Sequence, residues 1–129
     1  MVKRVLILAA GLLLAGCGSN PPDIDVARQI DLGAVTKGVK ATAAVPVRNL
    51  GEGPLKVLAV STSCGCTKAG ITPTEIPAGG EGVLRVVYDS TAHESDVGDI
   101  ERFVFIASDD PDEADLQLKL HVRVTKPDA

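Results

Sequence analysis

Aromatic side chains are almost missing from this chain. Its 129 residues hold no Trp, one Tyr (Tyr88) and two Phe (Phe103 and Phe105). That excludes the stacked aromatic platforms on which single-stranded nucleic acids lie, and it leaves the core to Val, Leu, Ile and Ala. No basic patch exists either. Lys and Arg number 13 against 17 Asp and Glu, a formal charge of -4, which argues against a nucleic-acid partner. No Gly-rich phosphate loop is present: Gly79-Gly80-Glu81-Gly82 stands before a strand, where a turn is the simpler reading. A Ser–His–acid set exists only on paper, from Ser95 and His93, without the elbow that would make it catalytic. The expectation is a protein that is not an enzyme. Wholesale disorder is excluded in turn, because hydrophobic residues make up 45% and charged ones 23%, and the length suits one domain.

Only one long apolar run occurs, Val5–Leu14, and it follows Lys3 and Arg4. At 1.5 Å per residue it covers about 15 Å, half of a bilayer core, so a membrane-spanning helix is disfavoured. A charged start, a short apolar stretch and small residues read as a secretory signal. Leu14-Ala15-Gly16-Cys17 resembles the bacterial lipobox. The resemblance implies cleavage before Cys17, a diacylglycerol on its thiol and acylation of the new amine. Residues 1–16 are then signal peptide, 17–27 the lipidated Cys and linker, and 28–129 the folded domain. Loss of Lys3 and Arg4 leaves 11 basic against 17 acidic residues. Such an acidic body does not hold anionic lipid by charge, so the acyl chains must, at about 0.8 kcal/mol per buried methylene. Gly18 rather than Asp follows the Cys. By resemblance to enterobacterial lipoproteins this implies the outer membrane, facing the periplasm, in preference to the inner one. The expected partners are the membrane, through the lipid, and another envelope protein. Gly18-Ser19-Asn20-Pro21-Pro22-Asp23 reaches at most about 20 Å, so the body is expected close to the membrane.

Most of the remainder alternates with period 2. Leu116, Leu118, Leu120, Val122 and Val124 interleave with Gln117, Lys119, His121, Arg123 and Thr125, one face in and one face out. Val39, Ala41, Ala43, Val45 and Val47 alternate similarly. Pro46 cannot donate to a ladder, which predicts an edge strand or a bulge there and an edge open to a partner strand. Leu55–Ser61 and Gly82–Asp89 are apolar on both faces and read as central strands, and Ile100–Ala107 is another strand. Shorter ones are expected around Gln29–Leu32 and Ala69–Ile71. Asn49–Pro54 reads as a hairpin turn joining the strands on either side, Pro77–Gly80 as the entry to the Gly82 strand, and Asp109–Asp112 as the last separator. About seven short strands in roughly 100 residues predict an all-β, immunoglobulin-like sandwich.

In order, the chain carries Asn49-x-Gly51-x-x-Pro54-Leu55, then Ser63-Cys64-Gly65-Cys66-Thr67, Ile76-Pro77-Ala78-Gly79, Val87-Tyr88-Asp89 and Ser108-Asp109-Asp110-Pro111. This order resembles the bacterial domain-of-unknown-function 1573 family over about Ile30–Val124. Ser-Cys-Gly-Cys-Thr is the specific element. Tyr88 stands where Phe is usual, and Asp109 where Asn is. The resemblance implies export, frequent lipid anchoring and an immunoglobulin-like fold distantly similar to ciliary and chaperone-like modules. It implies no activity.

Three Cys are present. With Cys17 taken by lipid, Cys64 and Cys66 form a complete pair in an oxidising compartment. On an extended strand their Cα atoms would lie about 6.5–7 Å apart, the limit for a disulfide, and Gly65 offers a bend. A bridge closing three residues would add only about 1.6 kcal/mol by loop entropy. Three readings stay open: inert packing residues, a redox pair with Lys68 close by, or a soft-metal site for Cu(I) or half a zinc site. Zinc would need further ligands, and the sequence places neither His93 nor His121 near Cys64. His121 reads as a surface residue, His93 as a solvated loop residue. Asp109, Asp110, Asp112, Glu113 and Asp115 lack EF-hand spacing and suit turn chemistry better than calcium. No cofactor is expected besides the covalent lipid.

Overall fold

A computed structural model describes residues 20–127. The expected signal peptide and Cys17 lie outside the described residues. Nine strands follow in order: β1 (Ile24–Asp25), β2 (Gln29–Thr36), β3 (Lys40–Asn49), β4 (Leu55–Thr62), β5 (Thr67–Thr72), β6 (Glu75–Ile76), β7 (Glu81–Asp89), β8 (Gly98–Ser108) and β9 (Asp115–Thr125). No helix occurs among the described residues. The strands form two sheets, β1-β3-β7-β5 and β2-β9-β8-β4-β6. Only β2 and β9 pair in parallel.

The alternation read from sequence sets the layers. In β9 every apolar even position is buried and every odd one exposed. In β7 Leu84, Val86 and Tyr88 face inward. Leu84 and Val86 from one sheet meet Val104, Ile106, Leu118 and Leu120 from the other, with Leu55, Ile76 and Val47 filling the ends. Each such side chain contributes about 1.5–3 kcal/mol by leaving water. A second cluster gathers Ala41, Cys66, Tyr88, Ile100, Val122 and Val124, with Cys64 packed against it.

Three expectations need correction. Asn49–Pro54 is no hairpin turn: β3 and β4 lie in different sheets, so this segment is a corner that crosses the sandwich. β4 is not central. Beyond Leu55 and Lys56, which pair with β6, its outer side is unpaired. Its bulge between Val57 and Ala59 leaves Leu58 67% exposed. Its apolar run therefore comes from half-buried Val57 and Val60 on the core and an outward Leu58, not from burial on both faces. β1, inside the segment read as linker, pairs with the end of β3 and buries Ile24, so the sandwich starts there. The longer strands stand where expected, and the two-residue β1 and β6 bring the expected seven or so to nine. β7 is central, and β3 has an unpaired outer side from Lys40 to Val47, which places Pro46 at an edge.

Candidate functional site

The sulfur pair lies in the turn that carries the chain from β4 in one sheet to β5 in the other, and not on a strand. Local hydrogen bonds build this turn. Thr62 Oγ1 lies 2.9 Å from Cys64 O and 2.8 Å from Thr67 O, its one hydrogen shared between them. Ser63 is tied to β8 twice: its N–H donates to Phe103 O (3.0 Å), and its Oγ accepts from Phe103 N (3.0 Å). Asp89 N donates to Cys66 O at 2.7 Å, fixing the turn to β7. Cys64 and Cys66 form a disulfide with Cα atoms 5.3 Å apart, inside the allowed range. Gly65 has an ordinary φ and open space where a Cβ would stand, so the bend does not require glycine. Cys66 is 2% exposed and Cys64 half-buried.

Behind the disulfide stands a polar network that the sequence did not announce. Arg102 Nε donates to Cys66 Sγ at 3.4 Å. Its Nη2 donates to both carboxylate oxygens of Asp96, at 2.9 and 3.0 Å. Asp96, 5% exposed, also accepts from the Tyr88 hydroxyl at 2.8 Å. Burial first, and the hydrogen bond to Asp96 second, push the Tyr88 hydroxyl up to about 12, so it stays a donor at ordinary pH. Lys37 Nζ donates to the carbonyls of Asp96 (3.2 Å) and His93. The one hint in the sequence was Tyr88 itself: a lone Tyr at an inward position needs a partner for its hydroxyl.

His93 belongs to this site. It is exposed, as expected, but the loop between β7 and β8 brings its imidazole to the pair. Its ring nitrogen and the sulfurs of Cys64 and Cys66 all lie within 4.8 Å of one another. His121 stays apart on the outer face of β9, Nε2 3.3 Å from Asp99 Oδ1 and Nδ1 3.6 Å from Asp31 Oδ1. Lys68, the second residue of β5, is exposed and makes no hydrogen bond to the sulfurs among the described residues.

The acidic cluster is architecture. Asp110, buried, accepts from Ile24 N (2.8 Å), Asp112 N (2.8 Å) and Glu113 N (3.1 Å). Burial alone would raise its carboxyl; the three backbone donors outweigh that and hold it below the usual carboxylate range. Asp109 Oδ1 accepts from Lys56 N at 2.8 Å, and Glu113 pairs with Arg28 at 2.6 Å.

The disulfide and the N-terminal segment occupy opposite ends of the sandwich. Asn20–Asp23 packs on the Asn49–Gly53 corner: Leu50 N donates to Asp23 O (2.8 Å), and Asp23 N donates to Asn49 Oδ1 (3.1 Å). β3 runs from that corner to Lys40. Beyond Lys40, Lys37 and Gly38 reach the β7–β8 loop through His93, Asp96 and Ser90. At about 3.3 Å per residue, the ten residues of β3 separate the ends by roughly 30 Å.

These features define an immunoglobulin-like β-sandwich whose sheets are joined at one end by a disulfide turn. The model of a family described as proteins of unknown function (DUF1573) matches residues 25–124, and the chain belongs to that family. No curated protein matches it. Among solved structures, a protein of unknown function from Porphyromonas gingivalis W83 is 25% identical with a TM-score of 0.75, over 87% of this chain and 51% of that one. The chain thus spans about half the length of that relative. The ASH/PapD-like domain 7 of human CEP192 matches at 10% identity and a TM-score of 0.61, over 98% of this chain and 100% of that one. The chaperone YadV matches at 19% and 0.57, over 83% and 53%. The last two likenesses show the fold alone.

Proposed function

We propose that this chain is a lipoprotein of the bacterial envelope, held by Cys17, whose sandwich serves as a non-catalytic binding and scaffolding module. The observation that carries this reading is the polarity of the body. The segment leading from Cys17 packs on one end, and the Cys64–Cys66–His93 group stands on the other. A module tethered at the first end presents the second to partners away from the membrane. Photo-crosslinkers at Gly65 and at Glu52, in cells expressing the full chain, test it. Adducts with an envelope protein are expected from Gly65 and not from Glu52. Equal labelling from both sites, or none from Gly65, sinks the reading. Cys17→Ala is expected to move the protein out of the membrane fraction.

A second reading has its own support, the Arg102 contact on Cys66. A partner thiolate attacking half-buried Cys64 Sγ would break the S–S bond and form a mixed disulfide at Cys64. The electron pair leaves on Cys66 Sγ, where the Arg102 guanidinium stabilises the thiolate. The body then holds a thiol–disulfide exchange site, with the partner dithiol as the reductant.

A further inference from the structure

The disulfide hides two donors, and His93 supplies a third beside them. We propose that the reduced Cys64–Cys66 pair and His93 form a site for monovalent copper, which the disulfide closes. This rests on the second reading above, that the pair is reducible. A dithiol donor reduces the bridge: two electrons pass to the sulfurs, two protons follow, and the donor becomes a disulfide. Copper binding then displaces the two thiol protons to solvent, and each thiolate gives the ion a lone pair; the copper stays monovalent throughout.

Donor chemistry selects the ion. Two thiolates and one imidazole are a soft set. They already lie within 4.8 Å of one another while bonded as a disulfide, so small side-chain rotations suffice. Among the described residues no fourth His, Cys, Asp or Glu completes the group. Three protein donors suit a three-coordinate d¹⁰ ion, whereas structural zinc takes four. The Asp96 carboxylate is committed to Arg102 and Tyr88. Charge agrees: two thiolates and one monovalent ion leave one negative charge, and the Arg102 guanidinium already donates to Cys66 Sγ at 3.4 Å. Access agrees too, since His93 is exposed and Cys64 half-buried over a buried Cys66. The hold on His93 comes from its own backbone, whose carbonyl accepts from Lys37 Nζ and from Asp96 N at 3.2 Å. The ring makes no hydrogen bond among the described residues, so a nitrogen lone pair is free to bind.

The test is an anaerobic titration of the purified chain with Cu(I) against a coloured bidentate chelator, before and after reduction, with free thiols counted in parallel. One copper per reduced chain and none per oxidised chain are expected. His93→Ala should weaken binding by about tenfold or more, and Cys64→Ser with Cys66→Ser should abolish it. X-ray absorption should show two sulfurs and one nitrogen on the copper. If reduction exposes two thiols and no copper is held, the copper site is overturned while exchange stands. If no thiols appear with the fold intact, both fall. Tighter retention of Zn(II), or binding unchanged in His93→Ala, also overturns the proposal.

Discussion

Arg102 decides what the sulfur pair does when it opens. Its Nε–H meets Cys66 and not Cys64, so the two sulfurs are chemically unequal although they are two residues apart. A charge-assisted hydrogen bond is worth about 1.5–3 kcal/mol, so Arg102→Gln should slow reduction by a small thiol about tenfold or more. In the wild type, the trapped adduct should sit on Cys64; an adduct on Cys66 would reverse the assignment. Tyr88 supports this arrangement from behind. Tyr88→Phe removes a donor from buried Asp96 and should cost about 1–3 kcal/mol, read as a shift in the denaturation midpoint with an unchanged slope. The sequence exposed the Cys pair by parity and spacing. It could not expose Arg102, Asp96 or His93, because their place beside the sulfurs is a product of the sandwich closing. Arg102 is 36 residues from Cys66 along the chain, and only the register of β8 sets it there.

At the scale of elements, alternation marked the long strands, and in β3 and β9 the face each buries, while the two-residue β1 and β6 and sheet membership were hidden. Asn49-Leu50-Gly51-Glu52-Gly53-Pro54 has the composition of a hairpin turn, yet it crosses between sheets. The reason lies in Asn49, fully buried, whose Nδ2 donates to Gly53 O (2.7 Å) and Ile76 O (3.0 Å). Its Oδ1 accepts from Asp23 N (3.1 Å) and Gly51 N (3.0 Å). Local pattern cannot see a turn whose bonds reach β6 and the N-terminal segment. A Cβ at Gly51 or Gly53 would overlap the backbone of residues 20–23. Gly53→Ala should therefore loosen that segment first, read as faster amide exchange at Leu50, whose N–H donates to Asp23 O, with the β8–β9 ladder protected. Asp110 fastens the other side of this corner and adds a pH dependence. Its carboxyl lies below its ordinary value in the folded chain, 3.8, so its contribution is complete above that value and is lost as pH falls through the depressed folded one. Wild-type stability should fall on acidification through about pH 4 and below. In Asp110→Asn the acid limb of the stability curve should be shallower; an unchanged limb would remove Asp110 from the account.

For the whole molecule, if Cys17 carries the lipid as proposed, the question is which end faces the membrane. Residues 20–23 are bound to the Asn49–Gly53 corner, so only Cys17, Gly18 and Ser19 separate a lipid on Cys17 from the folded body. Three residues reach at most about 10 Å, much less than the roughly 30 Å length of β3. The body cannot turn its disulfide end to the bilayer without undocking that segment, which would strip Leu50 N of its partner and Asn49 Oδ1 of one of its two. The acidic excess acts in the same direction, since anionic headgroups would repel the body and leave only the proposed lipid to draw it in. With the lipidated protein on vesicles carrying a headgroup quencher, a fluorophore at Glu52 should be strongly quenched and one at Gly65 scarcely at all. Gly53→Ala, by freeing the tether, should raise the quenching at Gly65 toward that at Glu52. Equal quenching at both positions in the wild type would mean that the sandwich lies flat, and that the disulfide end is not what the proposed lipoprotein presents away from the membrane.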